Sequence, residues 1–296
     1  MSRPVERPVV LACAGEPLVG ILHPAVSPAD PATGVLIVVG GPQYRVGSHR
    51  QFVQMARELA AAGHTTFRFD YRGMGDSAAP FAGFEHAGAD IRAAIDTFLR
   101  ETGLSNVVIF GLCDAAAAAL MYCRDDPRVR SLILANPWVR TSAGEAKSFV
   151  RHYYGQRLLQ RSFWRKLFRG ELNVVAAVLD FARKLTHASA GGAARGTTSF
   201  IERMLHGMRS FRGPVLVLIS ENDLTAQEYR DLCSSSAQWS AAVSRDNVMT
   251  VDCRGADHTF SNHSAHRQMM SEILRWLGNK VPARTIVNSA LHSARI

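Results

Sequence analysis

The chain has no apolar run approaching the ~18 residues that a bilayer-spanning helix needs, which excludes a helical membrane anchor within it. Its first ten residues, MSRPVERPVV, contain no apolar h-region, so no secretory signal is expected. Cysteine is scarce and unpaired in pattern. Five residues (Cys13, Cys113, Cys123, Cys233, Cys253) form no CxxC, which argues against both a disulfide framework and a zinc site. A reducing, cytoplasmic setting is the expectation. Acidic residues are outnumbered, 25 against 34 Lys and Arg, and the net charge is +9. Such a balance attracts anionic small molecules, lipids or nucleic acid without specifying a fold. No nucleic-acid recognition motif accompanies it, so nucleic acid is not expected as a partner. Internal repeats are absent as well.

What is present is an alternation of short β-branched runs with helical spacing. Val9–Leu11 and Leu18–Leu22 flank Gly15-Glu16-Pro17 as a hairpin. GVLIVV (34–39), HTTFRF (64–69), NVVIF (106–110), VRSLILA (129–135), PVLVLI (214–219) and NVMTV (247–251) read as further strands. Continuous apolar runs of this kind suit strands buried on both faces. Between them, 50–62, 90–99, 226–233 and 266–277 carry apolar residues at helical spacing, and Gly63 is placed to close the first of these helices. Strand–helix alternation over these distances implies a mostly parallel sheet flanked by helices.

The rhythm breaks between 140 and 212. This stretch is helical in pattern, is interrupted by ASAGGAARGTTS (188–199), and holds fourteen basic residues against four acidic ones. It reads as a basic helical lid inserted between two core segments, 1–139 and 213–280, with a polar tail at 281–296. A solvated helical face is the plainer explanation of its arginines.

In open parallel sheets the chemistry collects at the carboxyl ends of strands. Four such ends carry reactive or binding groups: Gly40-Gly41-Pro42-Gln43, Gly111-Leu112-Cys113-Asp114-Ala115, Ser220-Glu221-Asn222-Asp223, and Asp252 through His258. The second has the strand–turn–helix layout of a nucleophile elbow, Gly-x-Ser-x-Gly, with cysteine for serine and Ala115 for the second glycine. A buried turn cysteine is the plainer reading of the pentapeptide alone. The chain order of nucleophile, acid and histidine is that of the α/β-hydrolase arrangement. Cys113 is then the nucleophile, His258 the base and Asp223 the residue that orients the imidazole. Glu221 and Asp252 compete for the acid's role, and Asp223 could instead be a helix-start carboxylate. The N–H groups of Asp114 and Gly41, with Gln43 as second choice to Gly41, would form an oxyanion hole; Pro42 has no N–H to offer. Tyr44, Arg45, Trp138 and Tyr153 are the expected substrate contacts. The turn at Asp70–Gly73 reads as fold support, Asp90 as a helix-start residue, Cys253 as strand-end packing, and His263 and His266 as exposed. Asp114 puts a carboxylate beside a developing oxyanion, which has no ready explanation.

Together the stretches GGPQYRVGSHRQF, FDYRGMGDS, GLCDAA, NPWVR, SENDLTAQE and GADHTF resemble the α/β-hydrolase superfamily over roughly residues 9–278. Within it they are similar to the exosortase A system-associated hydrolases, bacterial proteins linked to exopolysaccharide and protein sorting, with a dienelactone-hydrolase-like cysteine triad. The resemblance implies an α/β-hydrolase fold and no defined substrate; a cysteine nucleophile favours esters, thioesters or lactones, hydrolysed through an S-acyl enzyme. No cofactor or metal is expected. A small-molecule acyl substrate is expected, and the basic stretch suits an anionic one such as a coenzyme A thioester or acidic saccharide. Two alternatives stay open: an acyltransferase using the same triad, and a non-catalytic partner-binding scaffold.

Overall fold

Each β-branched run forms a strand in the computed structural model, which describes residues 6–41, 43–140 and 199–279. The strands are β1 (Arg7–Cys13), β2 (Glu16–His23), β3 (Thr33–Val38), β4 (Thr66–Phe69), β5 (Asn106–Leu112), β6 (Val129–Ala135), β7 (Val215–Ser220) and β8 (Val248–Cys253). They make one sheet in the order β1-β2-β4-β3-β5-β6-β7-β8. β1 and β2 pair antiparallel, as do β2 and β4; every other neighbouring pair is parallel. The hairpin between β1 and β2 turns on two residues, Ala14 (φ 51°) and Gly15 (φ 86°), rather than on the three expected. Two consecutive positive φ angles give the turn a twist that matches its strands.

Seven α-helices join the strands among the described residues: α1 (Gln51–Ala61), α2 (Gly88–Thr102), α3 (Asp114–Tyr122), α4 (Phe200–Ser210), α5 (Leu224–Ser235), α6 (Ala237–Val243) and α7 (His263–Gly278). The apolar face of α1 (Phe52, Met55, Ala56, Leu59) is buried against the sheet. Its chain reverses at Gly63 (φ 93°), where the His64 N–H donates to the Leu59 carbonyl at 2.8 Å. α6 has no counterpart in the sequence reading: seven residues are too short for the helical period to show. His266 is a correction. It is buried, not exposed, and its Nε2 lies 2.8 Å from Glu58 Oε1 on α1.

The central β5–α3 unit owes its depth to small side chains. Ala115 to Ala119 are all buried, so α3 lies inside the core and contacts other elements on every side. α4 crosses it closely: a Cβ on Gly207 would lie 1.8 Å from the Leu120 carbonyl oxygen. Met204, Leu205 and Met208 of α4 are buried in the same core. The lid expected over 140–212 is thus described only at its ends; 141–198, with Tyr153, and the tail from 280 lie outside the described residues.

The close crossing is testable. Replacing Gly207 by alanine favours an isolated helix by about 1 kcal/mol, but here it forces α4 from α3. We expect a net loss of roughly 1–3 kcal/mol in urea unfolding. Unchanged or raised stability contradicts this packing.

Candidate active site

The site is built where β5 ends. Cys113 has φ 63° and ψ −124°, outside the ordinary regions for an L-residue. Holding such a residue costs on the order of 1–3 kcal/mol and is tolerated where its surroundings impose it. The Cys113 N–H donates to the Ala135 carbonyl at 2.9 Å, and its own carbonyl accepts from Trp138 N at 3.1 Å. The turn also needs glycine behind and beside it. A Cβ on Gly111 would sit 2.6 Å from the Ala115 carbonyl oxygen, and one on Gly40 would sit 2.2 Å from Asp114 Oδ1. The sulfur is half-buried and heads α3.

β7 and β8 bring two more side chains to this end of the sheet. His258 Nδ1 lies 2.8 Å from Asp223 Oδ2. The same Asp223 carboxylate accepts from Thr225 N (3.2 Å) and Ala226 N (3.1 Å), so one carboxylate faces both the start of α5 and the imidazole. The competing acids point elsewhere. Glu221 accepts from Gly255 N at 2.7 Å, and Asp252 pairs with Arg230 at 2.6 Å. Hydrogen bonds to Asp223 first and to Cys113 second push the His258 pKa up to about 10, against the desolvation that opposes charge. Asp223, His258 and Cys113 thus make one electrostatically linked row, with the His258–Asp223 hydrogen bond its defined contact.

Asn136 was not singled out by sequence reasoning. It is fully buried with φ 45°, and its amide nitrogen donates to Ser220 Oγ (2.9 Å) and to the His258 carbonyl (3.0 Å), while its oxygen accepts from Ser220 N (2.8 Å). It ties the ends of β6 and β7 to the histidine loop. The only sequence signal was an Asn-Pro pair directly after a strand.

Two of the expected oxyanion donors, the N–H groups of Gly41 and Gln43, already have acceptors within the chain. The Gly41 N–H, at φ 64°, donates to Asp114 Oδ1 at 2.6 Å, and the Gln43 N–H donates to the Gly41 carbonyl at 2.7 Å. Burial pushes the Asp114 carboxyl up, while the N–H groups of Gly41, Ala115 and Asp114 itself and the His258 charge act in the opposite sense. Tyr44 is exposed and its hydroxyl donates to Asp76 at 3.0 Å. Arg45 is buried, its guanidinium bonded to Asp70 and, at 2.8 Å, to Asp76, so its charge is met within the turn. Arg72 and Asp90 pair at 2.8 and 3.0 Å, and Cys253 is fully buried, its thiol pushed up to about 11 by that burial. These match the fold-supporting roles expected of them. Trp138 is half-buried beside the elbow, with the Arg140 guanidinium 4.9 Å from its ring centre. A separate groove of about 720 Å³ beside α3 and α4, lined by Phe84, Met121, Tyr122, Arg203 and His206 among others, includes none of the reactive residues.

The sheet order, the strained turn after β5 and the acid and histidine after β7 and β8 define an α/β-hydrolase. The family described as "Serine aminopeptidase, S33" matches residues 31–258, most of the chain, and the chain belongs to that family. Solved structures similar to it include the esterase Pf2001 of Pyrococcus furiosus, with a TM-score of 0.64 and 14% identity over 93% of this chain and 91% of that one. Est1E of Butyrivibrio proteoclasticus, solved with ferulic acid bound, has a TM-score of 0.60 and 14% identity over 92% and 99%. A haloalkane dehalogenase of Agrobacterium tumefaciens has a TM-score of 0.56 and 15% identity over 93% and 97%. At these identities the likeness concerns the fold. A search of the curated proteins finds no match. No helix of the described residues is long and apolar enough to cross a membrane, and no group of three or more His, Cys, Asp or Glu among them is placed to hold a metal ion.

The electrostatics of the row can be read by titration. His258 is raised in the folded state from about 6.5 to about 10. A raised histidine stabilises the fold fully below its unfolded pKa, and that contribution is lost as pH rises through the folded one. The stability advantage of the native chain over His258→Gln is therefore expected to be greatest below pH ~6.5 and to shrink toward pH ~10. In NMR titration, Asp223→Asn should lower the His258 pKa by about one unit or more, since it removes the largest favourable partner. An unmoved pKa contradicts the pairing.

Proposed function

We propose that the chain hydrolyses an ester or thioester through Cys113, His258 and Asp223, by way of an S-acyl enzyme. The observation that carries this reading is the 2.8 Å hydrogen bond between His258 and Asp223, on an imidazole whose pKa is also raised by Cys113. The sulfur of Cys113 attacks the acyl carbon while its proton resides on His258. The tetrahedral intermediate collapses, and the imidazolium gives its proton to the departing alkoxide or thiolate. Water enters, His258 takes one of its protons, and hydroxide attack on the thioester frees the acid and restores the thiol. Asp223, anchored by the first N–H groups of α5, keeps the Nδ1 side of the ring fixed and offsets its charge. Asn136 holds the backbone of the histidine itself.

Cysteine narrows the chemistry. In an adduct with an amide, the thiolate leaves more readily than the amine, so the intermediate returns to substrate. Esters, thioesters and lactones carry leaving groups that compete. This favours acyl-ester work over aminopeptidase work in spite of the family's description. The surplus of Lys and Arg suits an anionic acyl donor, in keeping with a coenzyme A thioester or an acidic saccharide of an exopolysaccharide system.

Incubation with p-nitrophenyl acetate or short acyl-CoA thioesters should give turnover that falls by at least about 10³-fold in Cys113→Ala and in His258→Ala. Intact mass should show an acyl adduct on the native chain and none on Cys113→Ala. Turnover retained in Cys113→Ala overturns the assignment.

A further inference from the structure

The geometry points to the groove beside α3 and α4 as a binding site for an anionic amphiphile, its carboxylate or phosphate head at Arg209 and its apolar body against α3. None of Cys113, His258 and Asp223 lines it, so the proposal stands apart from the S-acyl reading.

The groove has a volume of about 720 Å³. Small-molecule sites run from roughly 300 to 1,000 Å³. Its character changes along α4, which lines it with Glu202, Leu205, His206 and Arg209, residues that share one helix face. At the start of α4 the acids are already answered. The Glu202 carboxylate accepts from Ser199 N at 2.9 Å, and Glu85 accepts from Arg203 at 3.2 Å. Leu205, with Ala118 and Met121 of α3 and Phe84 ahead of α2, supplies the apolar surface.

Cations gather toward the last turn of α4. His206 and Arg209 lie three residues apart, and Arg124, just past α3, donates to His206 Nδ1. An arginine only donates, so the ring proton of His206 sits on Nε2, where it can be offered to an anion. Asp125 is held by Arg124 Nε at 2.9 Å. The Arg209 guanidinium has no hydrogen-bond or ion-pair partner among the described residues. It also lines an adjoining opening of about 400 Å³ with Gln238 and Arg245. Arg245 is fixed by the carbonyls of Met208 (2.6 Å), Arg209 (3.1 Å) and Phe211 (3.0 Å), so its positive charge stays at this end without a carboxylate partner. An inorganic anion here would leave Phe84, Met121 and Leu205 in water, and a neutral apolar molecule would leave Arg209 unanswered. A molecule with an anionic head and an apolar body meets both.

The test is calorimetric titration of the full chain with decanoate and with decyl phosphate, both below their micelle concentrations. Saturable binding is expected, the tighter of the two identifying the head group, and decyltrimethylammonium should bind at least about tenfold more weakly. Arg209→Glu should weaken the anions by roughly tenfold to a hundredfold, the scale of one charge-assisted hydrogen bond. Gly88→Leu fills the groove from the α2 side, where an added Cβ meets nothing closer than Tyr122 at 3.7 Å. It should weaken binding by roughly tenfold or more without lowering the urea midpoint, since leucine favours a helix over glycine. Cys113→Ala should bind decanoate as the native chain does. Absence of saturable binding, equal binding of the cationic amphiphile, or unchanged affinity in either Arg209→Glu or Gly88→Leu overturns the groove site. Decanoate binding lost in Cys113→Ala also overturns it, by placing the ligand at the reactive row, and leaves the S-acyl reading standing.

Discussion

Everything at the candidate site follows from one backbone constraint, the positive φ of Cys113 between β5 and α3. That conformation lifts the sulfur out of the strand and starts a helix in the next residue. It survives because side chains around it were kept small: Gly111 behind it, Gly40 across from it, and five alanines that let α3 sink into the core. The strain is local and its compensation is distributed, through the bonds to Ala135 and Trp138 and through the packing of α4 on α3. A strained non-glycine residue at the end of a central strand is what a reactive side chain at a fixed position requires.

The second constraint is the meeting of distant strand ends. Asp223 caps α5 with one set of bonds and orients His258 with another, so one carboxylate couples the stability of a helix to the position of an imidazole. Asn136 closes the same circuit from β6. Chain segments more than a hundred residues apart are thereby fixed within hydrogen-bond distance, which is the precision a proton transfer needs.

The strands were legible because parallel strands buried on both faces must be continuously apolar, and GVLIVV, VRSLILA and PVLVLI have no polar alternation to confuse them. Strand order in the sheet was not legible in residues. Short elements were lost: α6 spans too few residues for periodicity, and the hairpin turn lay one residue earlier than its glycine and proline suggested. Residues whose meaning depends on a distant partner were also opaque. His266 looks like an exposed helix residue until Glu58 is seen beside it, and Asn136 looks like a strand terminator. Arg45 offered a basic contact for substrate in sequence, yet Asp70 and Asp76 already meet its charge. The oddity at Asp114 was visible as an oddity, but its contact with Gly41 arises from a turn seventy-three positions away.

The account depends on Cys113 being activated by His258, and alkylation measures that directly. The second-order rate of iodoacetamide with Cys113 near neutral pH, read by peptide mass, should exceed that of the unfolded chain's thiols by on the order of tenfold or more, and should fall to their level in His258→Ala. A Cys113 that reacts no faster than an ordinary thiol, or whose rate is unchanged by His258→Ala, contradicts it.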